Sequence, residues 1–234
     1  MSAVLEVDGL STGYGELTAV REVSLHLEAG EVVALFGPNG AGKTSLLLAT
    51  VGALPRWAGS VAWEDAPAPR PLHRLVRAGL GFVPDQRSIV SSLSTRDNLL
   101  LGSGGIDGAL AYFPELADHL HRPAGLLSGG QQQILTLARA LAARPRALLI
   151  DELSLGLAPQ VVERLLGALR RAADEEGLAV LLVEQQIRRA LAIADRFYLL
   201  NHGVIVTAGE AHEDGGTALE EAYLESMGIS PDGG

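Results

Sequence analysis

The 234-residue sequence predicts an α/β fold built on a mainly parallel sheet, and three observations carry that expectation. Short, continuous apolar runs recur at Val32–Phe36, Ala147–Ile150 and Leu178–Val183, as strands buried on both faces require. Between the last two, Val162, Leu165, Leu166 and Leu169 fall at helical spacing within Pro159–Ala173. Pro159 sits at the start of that stretch and Gly177 just past its end, the usual asymmetry of helix termini. Strand, helix and strand in that order imply a parallel sheet with crossover helices.

The remaining elements follow along the chain. Around Leu5–Val7 and Val23–Leu27 apolar and polar residues alternate, which reads as half-buried strands of an N-terminal antiparallel β subdomain. Glycines follow Val32–Phe36, and Lys43–Thr50 then has helix-forming composition. From Gln86 to Leu126 the pattern is short and helical, broken by Gly102, Gly104, Gly105, Gly108 and Pro114, and predicts a short helical subdomain. Gln132–Ala143 reads as an apolar helix. Phe197–Leu200 and Val204–Val206 flank Asn201-His202-Gly203, a tight turn between strands. After Glu210 the chain turns polar, and Pro231–Gly234 is expected to fray. The expected division is 1–85, 86–126, 127–228 and a tail at 229–234.

Composition narrows the chemistry. Apolar residues make up 47% of the chain, and the formal charge is −10, without the basic face that a sequence-independent grip on nucleic acid needs. No apolar run approaches the roughly 18–20 residues of a membrane span. The start, MSAVLEVDGL, carries acids where a secretory signal carries basic residues. There is no cysteine, which excludes disulfides, thiol catalysis and Cys-ligated zinc. A soluble intracellular protein is expected, with any membrane role exercised through a partner. Of the 18 basic residues 17 are Arg, and the sole Lys is Lys43.

That lysine ends a specific pattern. Gly37-Pro38-Asn39-Gly40-Ala41-Gly42-Lys43-Thr44 matches G-x-x-x-x-G-K-[ST] between a buried strand and a helix. Glycines let successive backbone N–H groups turn inward around phosphate oxygens, where a Cβ would obstruct. The following helix adds its unsatisfied N–H groups and dipole. Lys43 offers a compact ammonium to the β- and γ-phosphates, and Thr44 a hydroxyl to Mg²⁺, with Ser45 next in the loop. Arg, broad and planar, cannot act as that point charge. The core is therefore predicted to be a P-loop NTPase, binding a nucleotide with Mg²⁺. A GTPase is disfavoured, since no N-K-x-D segment exists.

Ala147–Ile150 runs into Asp151-Glu152, carboxylates at the end of a sheet strand where ligands bind in open α/β folds. Asp151 suits Mg²⁺, held through water, and Glu152 suits an attacking water. Leu127-Ser128-Gly129-Gly130-Gln131 precedes the apolar helix, and Ser128 is a good N-cap, so ordinary capping is one reading. Two glycines and a serine at a helix N-terminus also make an anion site.

LSGGQ, with the phosphate loop before it and LLIDE after it, resembles the ATP-binding cassette (ABC) ATPase family over nearly the whole chain. The resemblance implies cassettes paired head to tail, each ATP lying between one phosphate loop and the other subunit's Ser128, Gly129, Gly130 and Gln131. It places Tyr14 against adenine, and Ser154-Leu155-Gly156-Leu157 in the segment linking the two sites. A surface turn tyrosine between Gly13 and Gly15 is the plainer reading of Tyr14. Most cassettes carry Gln where this chain has Asp85, followed by Gln86, and His where it has Gln185. Asp85 thereby joins Thr44 and Asp151 as an implied metal residue, and Gln185 joins Glu152 and Lys43 as an implied catalytic one. Gln185 can donate a hydrogen bond but cannot take a proton as His can.

Both departures are familiar in the second ATPase subunit of branched-chain amino-acid importers. PLHRLVRAGLGFVPD (71–85), YFPEL, SLGLAP and EAYL agree with that branch. The resemblance thus implies an ATPase that energises uptake of a small solute, branched-chain amino acids first. It would sit peripherally on the cytoplasmic face of the membrane, pairing with a second copy or a sister cassette. Two permease subunits and an extracytoplasmic solute-binding protein would complete the assembly. Leu153 stands where Pro usually follows Asp-Glu, and the helical stretch is short for the family, features that leave a binding-only cassette as an alternative. A soluble, non-transport ABC ATPase acting on ribosomes or nucleic acid is a second alternative, disfavoured by the single phosphate loop, the absence of heptads and the negative charge.

Overall fold

The computed structural model describes residues 3–69, 72–86 and 88–211, together with Leu219 and Tyr223. The tail at 229–234 and most of the EAYL segment lie outside the described residues. Two sheets form the frame. Strands β1 (Ala3–Tyr14), β2 (Leu17–Glu28), β4 (Ala58–Trp63) and β5 (Ala66–Pro67) make an antiparallel sheet in the order β2-β1-β4-β5. The six-stranded sheet comprises β3 (Val32–Phe36), β6 (Leu80–Val83), β7 (Ala147–Asp151), β8 (Ala179–Val183), β9 (Arg196–Asn201) and β10 (Val204–Glu210). Its order is β10-β9-β3-β8-β7-β6, parallel throughout except for the β9–β10 edge pair.

Every residue of β3, β7 and β8 is buried, as their continuous apolar runs require. Alternate residues serve two separate cores. Val32, Ala34, Phe36, Leu148, Ile150, Val180 and Leu182 pack against α5 (Gly129–Ala142) and α6 (Pro159–Glu176). Val33, Leu35, Leu149, Leu181 and Val183 face α1 (Lys43–Thr50) and the antiparallel sheet. That period of two fixes the register, since a one-residue slip would exchange the two faces.

Local chemistry sets the ends of these elements. Helix α6 carries Pro159 at its first position and stops at Gly177, whose φ of 71° lets its N–H reach the Ala172 and Ala173 carbonyls. Ser128 caps α5 in a capping box with Gln131, so that helix begins at Gly129, three residues before the stretch read from periodicity. Between β9 and β10 His202 and Gly203 both have positive φ, the geometry of a two-residue hairpin turn. Helix α2 (Leu72–Arg77) precedes β6, whereas α3 (Thr95–Leu100) and α4 (Gly105–Tyr112), with 3-10 turns at Pro114–His119 and Ala124–Leu126, occupy the stretch between β6 and α5. A short α7 (Ile187–Leu191) follows β8. Strand β4 and helix α2 carry no clear periodic signal, and only the finished sheet shows Val61 and Trp63 turned inward.

Polar clamps hold the opposite, amino-terminal edge. Asp195 Oδ2 accepts the Val32 N–H at 2.8 Å and Arg170 Nη1 at 2.7 Å, and Arg170 also reaches the Gly30 and Ile193 carbonyls. Replacing Asp195 by Ala leaves the Val32 N–H without its acceptor and removes one of the Arg170 partners, and should lower the free energy of unfolding by about 1–2 kcal/mol in urea denaturation.

Candidate active site

The carboxyl ends of β3, β7 and β8 lie side by side, with Leu35 paired to Val183 and Val183 to Asp151. The loop 37–42 leaves β3 and enters α1 through Gly42 at φ 105°. A Cβ on Gly42 would lie 2.4 Å from the Ala19 carbonyl oxygen, so only glycine brings this backbone so close. Helix α1 has neither a side-chain cap nor an acidic residue in its first turn, leaving its first N–H groups and dipole available to an anion. Lys43 is buried, and its Nζ donates to the Gly37 carbonyl at 2.8 Å and that of Pro38 at 3.0 Å. Burial pushes its pKa down, opposed by the nearby Glu152 and Asp151 carboxylates.

Asp151 is the group whose surroundings best suit a cation. Both carboxylate oxygens are buried without a hydrogen-bond partner at the end of β7. Burial raises its pKa, the Thr44 hydroxyl and Lys43 oppose that shift, and Asp85 and Glu152 add to it. Thr44 is close enough to favour the charged form without completing a hydrogen bond. An orphaned pair of hard oxygens beside a hydroxyl at the mouth of a phosphate loop fits Mg²⁺, which takes a few protein oxygens and the nucleotide's phosphates. Among the described residues no three His, Asp or Glu side chains form a cation cage of their own. Asp85 is exposed, and its Oδ1 accepts the N–H of its neighbour Gln86 at 2.7 Å.

Glu152 takes φ 48°, in the left-handed region, at a cost of about 1–3 kcal/mol for a non-glycine residue. A proline at 153 would drive the preceding residue toward extended backbone; Leu153, buried in the core, leaves this conformation open. The Glu152 N–H donates to the Val183 carbonyl at 3.1 Å, and its Oε1 accepts Gln185 Nε2 at 2.6 Å. Gln185 Nε2 also reaches Asn39 Oδ1 at 3.1 Å, joining the loop after β8 to the phosphate loop. Glu152 thus lines a cavity of about 370 Å³ shared with Tyr14, Asn39, Gly40, Lys43 and Thr44. Tyr14 is 53% exposed at the end of β1, and the Ser45 hydroxyl donates to its Oη at 3.4 Å.

Ser128, Gly129, Gly130 and Gln131 are not among the residues lining that cavity. Ser128 Oγ accepts the Gln131 N–H at 3.3 Å, and Gln131 Oε1 accepts the Ser128 N–H at 2.9 Å. The Gln131 amide nitrogen lies 2.9 Å from His119 Nε2. Two participants escaped the sequence reading. His119 sits in a stretch without periodic pattern, whereas Glu184, an acid directly after the buried run of β8, carried the same signal that singled out Asp151.

The ABC transporter family model matches residues 20–154, which span the phosphate loop, Ser128–Gln131 and Asp151-Glu152. The chain belongs to the ABC transporter family. The cassette is 36% identical to BraG, the high-affinity branched-chain amino acid transport ATP-binding protein of Pseudomonas aeruginosa, over 94% of its own length and 99% of that relative. It is 35% identical to LptB, the lipopolysaccharide export system ATP-binding protein of Escherichia coli, with 98% of each chain covered. The crystal structure of a nucleotide-free ATP-binding cassette from an ABC transporter matches with a TM-score of 0.87 at 23% identity, covering 97% of this chain and 99% of that one. The cassette is thus an ATP-binding and ATP-hydrolysing transporter subunit. Among the described residues no helix is long and apolar enough to cross a membrane.

The buried, unpartnered charge of Asp151 destabilises the ligand-free fold. Its raised pKa means that stability falls as pH rises through the folded-state value. Asp151→Asn should therefore melt about 2–4 °C higher than the parent at neutral pH, the response to about 1 kcal/mol in a chain of this size. The difference should close at acid pH, where Asp151 is protonated, and Mg²⁺-ATP should no longer raise the variant's melting temperature. Calorimetry across pH, with and without nucleotide, checks all three outcomes.

Proposed function

We propose that this cassette energises import of a small solute, branched-chain amino acids first, by hydrolysing ATP at the carboxyl edge of its central sheet. The observation that carries the mechanism is the line Asn39–Gln185–Glu152, which holds a carboxylate at the mouth of the phosphate-loop cavity. Backbone N–H groups of Gly37, Pro38 excepted, through Gly42, with those of Lys43, Thr44 and Ser45, wrap the phosphates, and Tyr14 stacks on adenine. Lys43 exchanges its two carbonyl partners for the β- and γ-phosphates. Thr44 and Asp151 would hold Mg²⁺, with Asp85 adding charge nearby, and the bound ion would supply positive charge to offset that developing on the phosphates. Glu152 orients a water and takes its proton, while the Gln185 amide fixes the carboxylate's direction. Ser128, Gly129, Gly130 and Gln131 of a second cassette, a copy or a sister chain, close the γ-phosphate side.

The division into a nucleotide-binding core, a helical stretch at 86–126 and a returning core at 127–228 fits this scheme. An open groove of about 410 Å³, with Val76, Phe82, Leu101 and Arg139 among its walls, runs between β6 and the helices and suits a permease segment. Import of branched-chain amino acids is supported by BraG and by the acid at 85 and Gln at 185, both familiar in that branch. Two permease subunits, an extracytoplasmic solute-binding protein and a peripheral position on the cytoplasmic face belong to the same reading. The near-equal identity to LptB makes lipopolysaccharide export the competing cargo assignment.

Lys43→Ala should weaken ATP binding by about 100-fold or more in a nucleotide titration, the loss of about 2.7 kcal/mol of phosphate contact. Glu152→Gln should keep ATP affinity while turnover falls by about 10²–10⁴-fold, the range for a lost general base. Undiminished turnover in that variant would reject Glu152. Co-purification of the membrane subunits, followed by vesicle uptake of labelled leucine, tests the cargo; partners that move no amino acid would overturn it.

A further inference from the structure

Asp151 and Glu184 are the two fully buried carboxylates among the described residues, and the scheme above uses only the first. Glu184 is 3% exposed at the end of β8. Unlike Asp151 it is fully engaged. Its Oε1 accepts the Ser154 N–H at 2.9 Å, and its Oε2 accepts the Ser154 hydroxyl at 2.5 Å. Gln186 Nε2 donates to the same Ser154 hydroxyl at 3.2 Å, and Gln185, between them, holds Glu152 at 2.6 Å. Three consecutive residues therefore grip both ends of the stretch 152–154. Backbone bonds tie the grip to the sheet: Glu152 N–H to the Val183 carbonyl, and Glu184 N–H to that of Leu35.

Immediately beyond Ser154 the surroundings change. Leu155 is 67% exposed, and Gly156 takes φ 71°, so an apolar side chain stands in solvent one residue from the serine that a buried carboxylate holds. A displacement of Leu155 must pull Ser154, because leaving a buried carboxylate without its donors is costlier than moving with them. Charge-assisted bonds of this length resist stretching. Burial raises the Glu184 pKa, and the Ser154 hydroxyl and N–H, with the Gln185 N–H, pull it back.

We propose that Glu184 is a positioning residue that couples the exposed Leu155–Gly156 turn to the Glu152 carboxylate. A partner pressing on Leu155 moves Ser154, Ser154 moves Glu184 and the end of β8, and Gln185 then redirects Glu152. The inference rests on the assignment of Glu152 above, and adds to it a route by which a neighbour's contact reaches that group.

Glu184→Gln in the full chain tests it, since Gln keeps the shape but turns one acceptor oxygen into a donor facing Ser154. Amides of 154–157 should exchange hydrogen about tenfold faster, the loss of about 1.4 kcal/mol of local protection. In ATPase assays kcat should fall about tenfold with KM unchanged, and Leu155→Ala should lower kcat in the parent but add nothing in the Glu184→Gln background. Additive losses, or faster exchange with unchanged kcat, would reduce Glu184 to a strut and overturn the coupling. Should Glu184→Gln fail to fold, Ser154→Ala removes the hydroxyl from the same pair and should give the same kcat loss; full turnover there also overturns it. Full turnover in Glu152→Gln would instead remove the carboxylate assignment, while the exchange result at 154–157 stands apart from hydrolysis.

Discussion

Three strands buried on both faces leave one place for polar chemistry, their carboxyl ends. β3, β7 up to Asp151, and β8 are apolar, sealed between α5 and α6 on one side and α1 with the antiparallel sheet on the other. Adjacent strands lie about 4.8 Å apart, so whatever follows each run is brought together whatever its distance in sequence. Asn39, Glu152 and Gln185 meet for this reason, although 146 residues separate the first from the last. The sheet is thus both scaffold and ruler.

The same arrangement concentrates unfavourable electrostatics. Lys43, Asp151 and Glu184 are all withdrawn from water, yet only Glu184 has its charge answered by well-placed donors. Lys43 makes do with two carbonyls, and Asp151 with no completed hydrogen bond. Glu152 adds backbone strain. Such local conflict costs stability in the free protein, and a ligand that supplies phosphate oxygens and a divalent cation relieves it. At the amino-terminal edge Asp195 is answered by the Val32 N–H and by Arg170, whose Nε alone is left without a partner.

Much of this was legible in the sequence, for identifiable reasons. Strand interiors announce themselves as apolar runs, and the residue types after them are read directly, which is how Lys43, Thr44, Asp151 and Glu152 stood out. Ser128 was readable as a cap because capping is local. Contacts across the sheet were not. Glu184 and Ser154 are 30 residues apart, and nothing in either segment specifies that β7 and β8 bring them together in this register. The link from His119 to Gln131 depends on how a 3-10 turn folds over the start of α5, and the backbone of Glu152 on what surrounds it. β4 was missed because Ala58-Gly59-Ser60 has weak strand propensity, and its pairing with β1 creates the strand. Cargo is a separate matter. The described residues line a cavity at the phosphate loop and a groove beside β6, and relatives named for different cargoes match the chain at 36% and 35% identity.

The solitary lysine has one more consequence. With 17 arginines carrying the remaining basic charge, Lys43 is the only side-chain amine in the protein, and burial enlarges its unprotonated, nucleophilic fraction. An ATP analogue bearing an acyl-phosphate warhead would acylate the chain's one ε-amine from within the loop. A single mass shift would then count occupied loops molecule by molecule, free of the background labelling that lysine-rich surfaces impose.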